Sequence, residues 1–555
     1  MKKFLFEKDD IKKSAAAVII LLAVAFRLVL SYRQYVTIYP PLAPLDDDLM
    51  FRAAQSIVSG NWLGEYGYLT ISKHMFFALW LAFLHVVKVP YLVGNMALWA
   101  AACGVAAAAF APVLKRRWAS LVLFLFLLYN PAASARYATR IYRDAIFPAL
   151  CLMFFSAVAA VGLRSRLPVK KWRRWAVLYG ASYGCIYLRR EDGIWVLPFG
   201  AVALVITAGL LVSRQGVRTA AVKTAAMLAP AAISALIIGG YCYMNWQYYG
   251  RFIVSDFTSL EFKSAYGALT SLEQDNWHPM VSVPEDVRQD VYRAVEMFAP
   301  VEQALEEPLL VNGYKNEAIG DFPSGAFYWA LRQALASLGV YDSPQKAQDY
   351  YTQLTRQIQQ AVDSGRLKTQ NGSTKLRKST TPPIKARYVP RVLEETLAGF
   401  KVCMFFEQCD PLAERAVGRT DEIQPVEQFV HQNGATALIP YTEIPYLSPV
   451  RSVGHTFLRA VNIIYKIFIP IAFVSSVMWQ IKRLRQALAD KKFTSEDMLN
   501  IILLGFIGMA LLRCAMIAFM EVSSFGIGTY VMYLSTVHPL LIAYSVLGLV
   551  KNFEY

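Results

Sequence analysis

Long apolar segments alternate with short basic connections along most of the chain. Several of these segments reach the roughly 20 residues that a helix needs to cross the hydrocarbon core of a bilayer. The sequence therefore predicts an all-α polytopic membrane protein with about ten transmembrane helices. They are expected at 14–32, 90–114, 119–130, 145–163, 175–188, 194–213, 224–243, 456–481, 497–519 and 528–550.

A polar stretch between the seventh and eighth spans divides the chain into three predicted regions. Residues 1–243 form an N-terminal membrane domain, 244–455 a mostly helical soluble insert, and 456–555 a C-terminal membrane domain of three spans. The insert is long enough to have a core of its own. One of its helices is expected to run from the N-cap Ser343 to a C-terminal stop at Gly365. A second helix is expected from Ser324 to Gly339, whereas the polar, basic stretch 367–387 is expected to be a loop.

Composition and charge agree with a membrane location. Only 17% of the residues are charged, against about 25% in soluble proteins. The first span is expected to stay as an anchor, because it is long and lacks a small-residue cleavage site. The net charge of +16 is explained by Lys and Arg in alternate connections, as the positive-inside rule requires. Both termini are therefore expected in the cytoplasm and the insert outside, in a bacterial plasma membrane.

An acidic triplet, Asp46-Asp47-Asp48, follows the first span. Adjacent carboxylates repel one another, which raises a pKa or calls for a cation. The spacing of Phe51 and Ala54 predicts a short amphipathic helix directly after the triplet, lying in the membrane interface. In the simplest alternative, Asp46 caps that helix, but one helix needs only one cap.

Basic residues recur on the side where the positive-inside rule disfavours them. In the second outer loop, Arg136, Arg140 and Arg143 have the spacing of one helical face, and Asp144 follows them. Arg189 and Arg190 end the fifth span. Such arginines can bind a phosphate with two parallel hydrogen bonds. They can also contact lipid head groups or pair with nearby acids, and a salt bridge from Arg140 to Asp144 is favoured.

Two polar residues fall within late spans. Arg513 lies in the ninth, where an arginine is expected to face a cavity or a partner such as Glu521. His538 precedes Pro539 and is more often a packed residue than a base. Cys403 and Cys409, in the insert, are expected either to form a disulfide or to pack as free thiols.

These residues resemble the GT-C superfamily of integral-membrane glycosyltransferases, in the branch with protein O-mannosyltransferases and lipid A aminoarabinose transferases. The resemblance rests on Asp47-Asp48 followed by Phe51, on Arg27 in the first span, and on the pair Lys73-His74. The late stretch 530–541 resembles a tyrosine–proline motif of that branch but lacks its arginine. The insert is not covered by the resemblance.

The resemblance implies that a sugar moves from a polyprenyl-phosphate donor to a lipid, glycan or protein acceptor at the outer face, with inversion. Asp47 would be the general base and Asp48 its orienting partner, with no nucleic acid involved. A divalent metal, Mg or Mn, would bind Asp47, Asp48 and Asp144 if any is used. Substrate contacts are expected from Asp46, Lys73, His74, Arg140, Arg143, Asp144, Arg189, Arg190, Arg513 and His538.

Two alternatives stay open. A transporter or flippase of a lipid-linked anion would also have many spans and outward arginines, but its charges should cluster at the membrane midplane. An inactive relative whose insert binds a partner would keep the fold without the chemistry.

Overall fold

The structure is a computed structural model. It describes residues 13–39, 43–307, 313–370, 372–412, 415–435, 449–490, 493–526, 528 and 531–554. Within these ranges the secondary structure is helical, with only isolated β-bridges and no strands.

The N-terminal half contributes nine α-helices. They are α1 (Lys13–Arg33), α2 (Leu49–Val58), α3 (Phe76–Val86), α4 (Tyr91–Phe110), α5 (Arg117–Leu128), α6 (Phe147–Arg164), α7 (Arg173–Arg189), α8 (Leu197–Gln215) and α9 (Val217–Tyr249). The amphipathic helix predicted after the acidic triplet is confirmed as α2, which buries Phe51 and Ala54. The apolar helix α3 was not predicted, because its 11 residues are too few to span a bilayer.

The middle of the chain forms α10 (Leu260–Leu269), α11 (Glu285–Ala294), α12 (Ala299–Glu306), α13 (Ser324–Ser337), α14 (Pro344–Asp363), α15 (Val389–Met404) and α16 (Thr420–Val430). The predicted start of α14 is confirmed, since the Ser343 side chain accepts a hydrogen bond from the Lys346 backbone N–H. The C-terminal helices are α17 (Pro449–Asp490), α18 (Ser495–Met520) and α19 (Val537–Glu554).

Seven helical segments in the described part of the chain are long and apolar enough to cross a membrane, as expected of a multi-pass membrane protein. They are Lys13–Arg33, Tyr91–Val113, Arg143–Arg164, Glu191–Gln215, Val217–Tyr249, Val453–Ala489 and Ser495–Phe525. The other three predicted spans fall on α5, α7 and α19. The last of these starts at Val537 rather than 528, because residues 531–536 form a separate turn.

Two hydrophobic cores organise the chain. The first joins the membrane helices to one another and also includes Cys403, Phe406 and Phe429 from the middle region. The buried residues of the second lie between Phe262 and Leu367, and Tyr66 and Tyr68 from the loop after α2 pack against them. Helices α15 and α16 therefore pack on the membrane helices, whereas α10–α14 form a compact unit of their own.

Candidate functional site

Several chain segments bring charged or polar groups to one end of the membrane helices, which we call the polar end. They are the turn Pro44–Asp48 before α2, the pair Lys73-His74 before α3, the segment 136–145 before α6, the segment 187–192 after α7, Arg513 of α18, and the turn 531–536 before α19. These segments are far apart in sequence, so only tertiary packing assembles them.

Asp47 and Arg140 form the central ion pair of the polar end. The Arg140 Nε donates to both Asp47 carboxylate oxygens at 3.0 and 2.8 Å, and its Nη2 donates to Oδ1 at 2.7 Å. The Arg140 guanidinium also lies against the rings of Tyr39 and Tyr142, at 4.9 and 4.5 Å from their centroids. Burial raises the pKa of the Asp47 carboxyl to about 6, although Arg140 opposes that rise.

Asp46 pairs with Lys73 rather than capping α2. The predicted cap is wrong: Asp48 occupies the N-cap position, and its side chain makes no capping hydrogen bond. Burial would raise the pKa of the Asp46 carboxyl, but Lys73 and the neighbouring arginines hold it well below its usual range. Burial lowers the pKa of the Lys73 ammonium, and Asp46 limits the fall.

Asp48 binds Arg52, one turn along α2, at 2.7 Å. Burial raises the pKa of its carboxyl, and Arg52 opposes the rise. In this geometry the residue that binds and orients Asp47 is Arg140, whereas the GT-C resemblance implies that role for Asp48.

The predicted helical face of three arginines is wrong. Residues Arg136–Thr139 and Arg143–Ala145 form two separate 3₁₀ turns, and Arg140 between them is extended. The arginines consequently point to different partners. Arg143 Nη1 donates to Glu191 Oε2 at 3.0 Å.

His74 joins the same cluster through its backbone. Its N–H donates to Glu191 Oε1 at 3.0 Å, and its Nδ1 lies 2.6 Å from the carbonyl oxygen of Tyr187. Burial lowers the pKa of the imidazole, and Glu191 opposes the effect. A neutral His74 can donate from Nδ1 to this carbonyl, which fixes the ring.

Asp144 pairs with Arg189 and Arg190, at 3.1 Å each, and not with Arg140 as predicted. Arg189 is fully buried; it also donates to the Arg143 carbonyl oxygen at 3.0 Å and stacks on Phe147. Proximity in sequence suggested the wrong partner, because the turn at 140–143 directs Arg140 toward the triplet instead.

Arg513 donates to Asp192 Oδ2 at 2.6 Å and to the Tyr533 carbonyl oxygen at 3.0 Å. The predicted partner Glu521 instead accepts from the Gly528 backbone N–H at 2.6 Å. Asp192 and Glu191 belong to the network although neither is among the substrate contacts expected from the sequence. Their position directly after Arg189-Arg190 was the sequence signal that could have identified them as members of the site.

His538 lies outside this network. Its ring packs against Phe406 at 5.1 Å, and its Nε2 lies 3.9 Å from Cys409 Sγ. The proposed disulfide is wrong, since Cys403 and Cys409 are both buried free thiols. Cys403 Sγ contacts the Leu534 carbonyl oxygen, and Cys409 Sγ contacts the Tyr137 hydroxyl.

The network combines six cations with five carboxylates, so it has one excess positive charge when all are ionised. The cations are Lys73, Arg140, Arg143, Arg189, Arg190 and Arg513; the carboxylates are Asp46, Asp47, Asp144, Glu191 and Asp192. Several buried guanidinium donors have no hydrogen-bond acceptor, namely Arg143 Nε, Arg189 Nε and Arg513 Nη2. The excess positive charge suits an anionic ligand.

The carboxylates do not fit a divalent metal site. Asp47, Asp48 and Asp144 each bind a different basic partner. In the described residues, no group of three or more His, Cys, Asp or Glu side chains could hold a metal ion.

An apolar groove lies among α6, α7, α8 and α9. Its walls include Val158, Tyr179, Tyr183, Leu204, Met227 and Ile238. The ring of one wall residue, Tyr183, lies 6.3 Å from that of Tyr187, which in turn lies 5.3 Å from the ring of His74. The charged side chains of the network do not themselves line the groove.

Compared with protein-family models, curated proteins and solved structures, the chain gives no match. The resemblance to the GT-C superfamily therefore stays a prediction that rests on the residues described above.

Proposed function

We propose that the chain is a GT-C-like membrane glycosyltransferase that moves a sugar from a polyprenyl-phosphate donor to an acceptor at the outer face of the membrane. One observation carries this proposal: a dense, net-positive arginine network surrounds a buried carboxylate, Asp47, at one end of the membrane helices, and a separate apolar groove lies among α6, α7, α8 and α9. A lipid phosphate has matching chemistry, with an apolar chain attached to an anionic group.

In this proposal the polyprenyl chain occupies the groove, and its phosphate binds the network. Of the network cations, Arg140 and Arg190 retain the most side-chain exposure, 17% and 15%, and are the most accessible to a ligand. Arginine meets phosphate with two parallel hydrogen bonds. The excess positive charge would stabilise the negative charge that develops on the leaving phosphate.

Asp47 is the proposed general base. It would take the proton of the acceptor's hydroxyl or amine as that nucleophile attacks the anomeric carbon. The bond from this carbon to the phosphate oxygen breaks on the opposite face, so the sugar configuration inverts and polyprenyl phosphate leaves. A carboxyl with a pKa of about 6 suits a base that works near neutral pH.

The ion pair between Asp47 and Arg140 gives this reaction an order of events. While Arg140 donates to both carboxylate oxygens, Asp47 has less capacity to accept another proton. A donor phosphate that binds Arg140 would draw the guanidinium away and free the carboxylate. Donor binding would thereby activate the base, and acceptors would react only after the donor is in place.

The rival function, a flippase for a lipid-linked anion, is less well supported. Its charges should lie near the midplane in broken helices. The charged side chains of the network lie in turns and at helix ends, apart from Arg513 within α18.

The test uses purified protein in proteoliposomes with a labelled polyprenyl-phosphate hexose and a membrane extract as the pool of acceptors. We expect the donor to be consumed, with the label in a new product and free polyprenyl phosphate as coproduct. Asp47→Asn should lose this reaction, while Asp363→Asn, an acid in the separate α10–α14 unit, should retain it. Transfer of intact donor between leaflets without cleavage would contradict the proposal and favour the flippase.

The proposed orientation has its own test. Cysteines placed at Gln353 in α14 and at Gln486 in α17 should differ in their reaction with an impermeant reagent in intact cells. We expect labelling at position 353 only; labelling only at position 486 would invert the topology and contradict an outward site.

A further inference from the structure

Helix α15 has two apolar faces, although it belongs to the stretch that the sequence assigns to a soluble insert. One face packs on the membrane helices. There, Gly399 lies so close to Leu534 that an added Cβ would come within 3.0 Å of its side chain. Thr396 and Cys403, on the same face, are also buried.

The other face presents a stripe of large apolar side chains. Val389, Leu393 and Leu397 are 50%, 58% and 66% exposed, and each lies four residues from the next. Residues at this spacing lie one above another along a helix. We call these three residues the α15 stripe. A contiguous exposed apolar patch marks a site that contacts a partner or a membrane.

The stripe lies beside the apolar surface of a candidate spanning helix. The ring of Phe400 lies 6.4 Å from that of Phe473 in α17. Near Phe473, α17 exposes Ile467, Ile471 and Val474, each by 58% or more. That surface belongs to the candidate span Val453–Ala489, so its exposed apolar side chains are suited to lipid. The position of α15 therefore favours lipid, rather than water, as the surroundings of its stripe.

The segment that directly precedes α15 has the residue types of a membrane interface. Lys385 and Arg387 lie over the ring of Trp277, at 5.2 and 3.4 Å from its centroid. Ile384, which directly precedes Lys385, is 81% exposed. The 30 residues 364–393 contain eight Lys and Arg and no Asp or Glu. Tryptophan and cations next to an apolar stripe are typical of segments that lie at an anionic membrane surface.

We propose that α15 is embedded in the surface of the bilayer. The α15 stripe contacts acyl chains, and Lys385 and Arg387 contact anionic lipid head groups. This inference concerns the attachment of the middle region to the membrane and is independent of the proposed catalytic activity.

The experiment measures depth in the bilayer. Leu393→Cys, with Leu397→Cys as a second variant, is labelled with an environment-sensitive fluorophore in proteoliposomes that contain lipids spin-labelled along the acyl chain. The same label on Gln353→Cys is the control, because Gln353 is exposed on α14 in the separate unit. Signal from the unmodified parent is subtracted to account for native cysteines.

We expect at least twofold quenching at positions 393 and 397 and none at 353, in vesicles of lipid alone. No quenching at 393 or 397 in folded protein would overturn the proposal and point to a protein partner for the stripe. A second comparison tests the proposed contact with anionic head groups. Quenching at position 393 should increase when phosphatidylglycerol replaces part of the phosphatidylcholine. Lys385→Glu with Arg387→Glu should remove that increase; an increase that persists would overturn the assignment of these two cations.

Discussion

Arg140 binds Asp47 through three hydrogen bonds of 2.7 to 3.0 Å, across 93 positions of sequence. The pair joins the turn before α2 to the loop before α6 and fixes the buried carboxylate proposed as the base. It also gives that carboxylate a competing partner.

Replacing Asp47 by Asn should abolish sugar transfer while the protein still folds. The amide keeps the shape of the side chain but cannot accept a proton, and general base catalysis typically contributes about 10²- to 10⁴-fold. Consumption of labelled donor measures the loss, with the thermal unfolding of the purified variant as the control for folding. Asp46→Asn should cost less, because Asp46 pairs with Lys73 and is not the proposed base. Near-normal turnover in Asp47→Asn would show that another group takes the proton.

The pH dependence of transfer should have an acidic limb near pH 6. Burial raises the pKa of Asp47 to about 6, so the carboxyl becomes protonated, and inactive as a base, as the pH falls through that value. Arg140→Gln should move this limb to higher pH, because Arg140 opposes the rise in pKa. Rates at donor concentrations far below saturation, which report the ionisation of the donor-free protein, test both statements between pH 4.5 and 8. A limb that does not move in Arg140→Gln would separate Asp47 from the observed ionisation.

Arg190 and Arg189 should respond differently to replacement by Ala. Arg190 keeps partial exposure, so Arg190→Ala should weaken donor binding by roughly ten- to a hundredfold, the effect of losing a charge-assisted hydrogen bond of about 1.5–3 kcal/mol. Arg190→Lys should recover only part, because an ammonium lacks the planar fork. Equilibrium binding of a polyprenyl-phosphate hexose is the measurement, corrected for the folded fraction.

Arg189→Ala should chiefly reduce stability. Arg189 is fully buried against Asp144, and breaking a buried pair by removing one partner costs about 3–5 kcal/mol. The expected result is a lower unfolding temperature with unchanged donor affinity per folded molecule. If the stability is unchanged and the affinity falls, Arg189 contacts the donor directly.

The proposed binding of the polyprenyl chain in the apolar groove can be tested by filling the groove with a larger side chain. Ala203 lines the groove, and Ala201 lies on an exposed part of the same helix, α8. Ala203→Phe should reduce affinity for a long-chain polyprenyl-phosphate sugar at least tenfold and leave a short-chain analogue unaffected. The matched control Ala201→Phe should bind both as the parent does. Equal loss of the two donors in Ala203→Phe would mean that the substitution disturbs the fold rather than the chain-binding site.

The sequence by itself determined the helical membrane character and most helix positions. Apolar length, the capping pattern at Ser343, and the spacing of Phe51 and Ala54 are local properties, and they follow directly from the requirement to satisfy the backbone within lipid and at helix ends. The sequence also marked most of the charged residues that meet at the polar end, because arginines and acids at helix ends are unusual in so apolar a chain.

Only the tertiary structure decided which acid each arginine of the polar end binds. Asp144 follows Arg140 by four positions, yet it binds Arg189 and Arg190, and Arg513 binds Asp192 rather than Glu521. Helical spacing could not anticipate this, because the segment 136–145 is broken into turns that aim each arginine separately. Ion pairs at this end join segments up to 321 positions apart. Such contacts depend on how the helices pack. The residues that neighbour each other in sequence do not specify this packing.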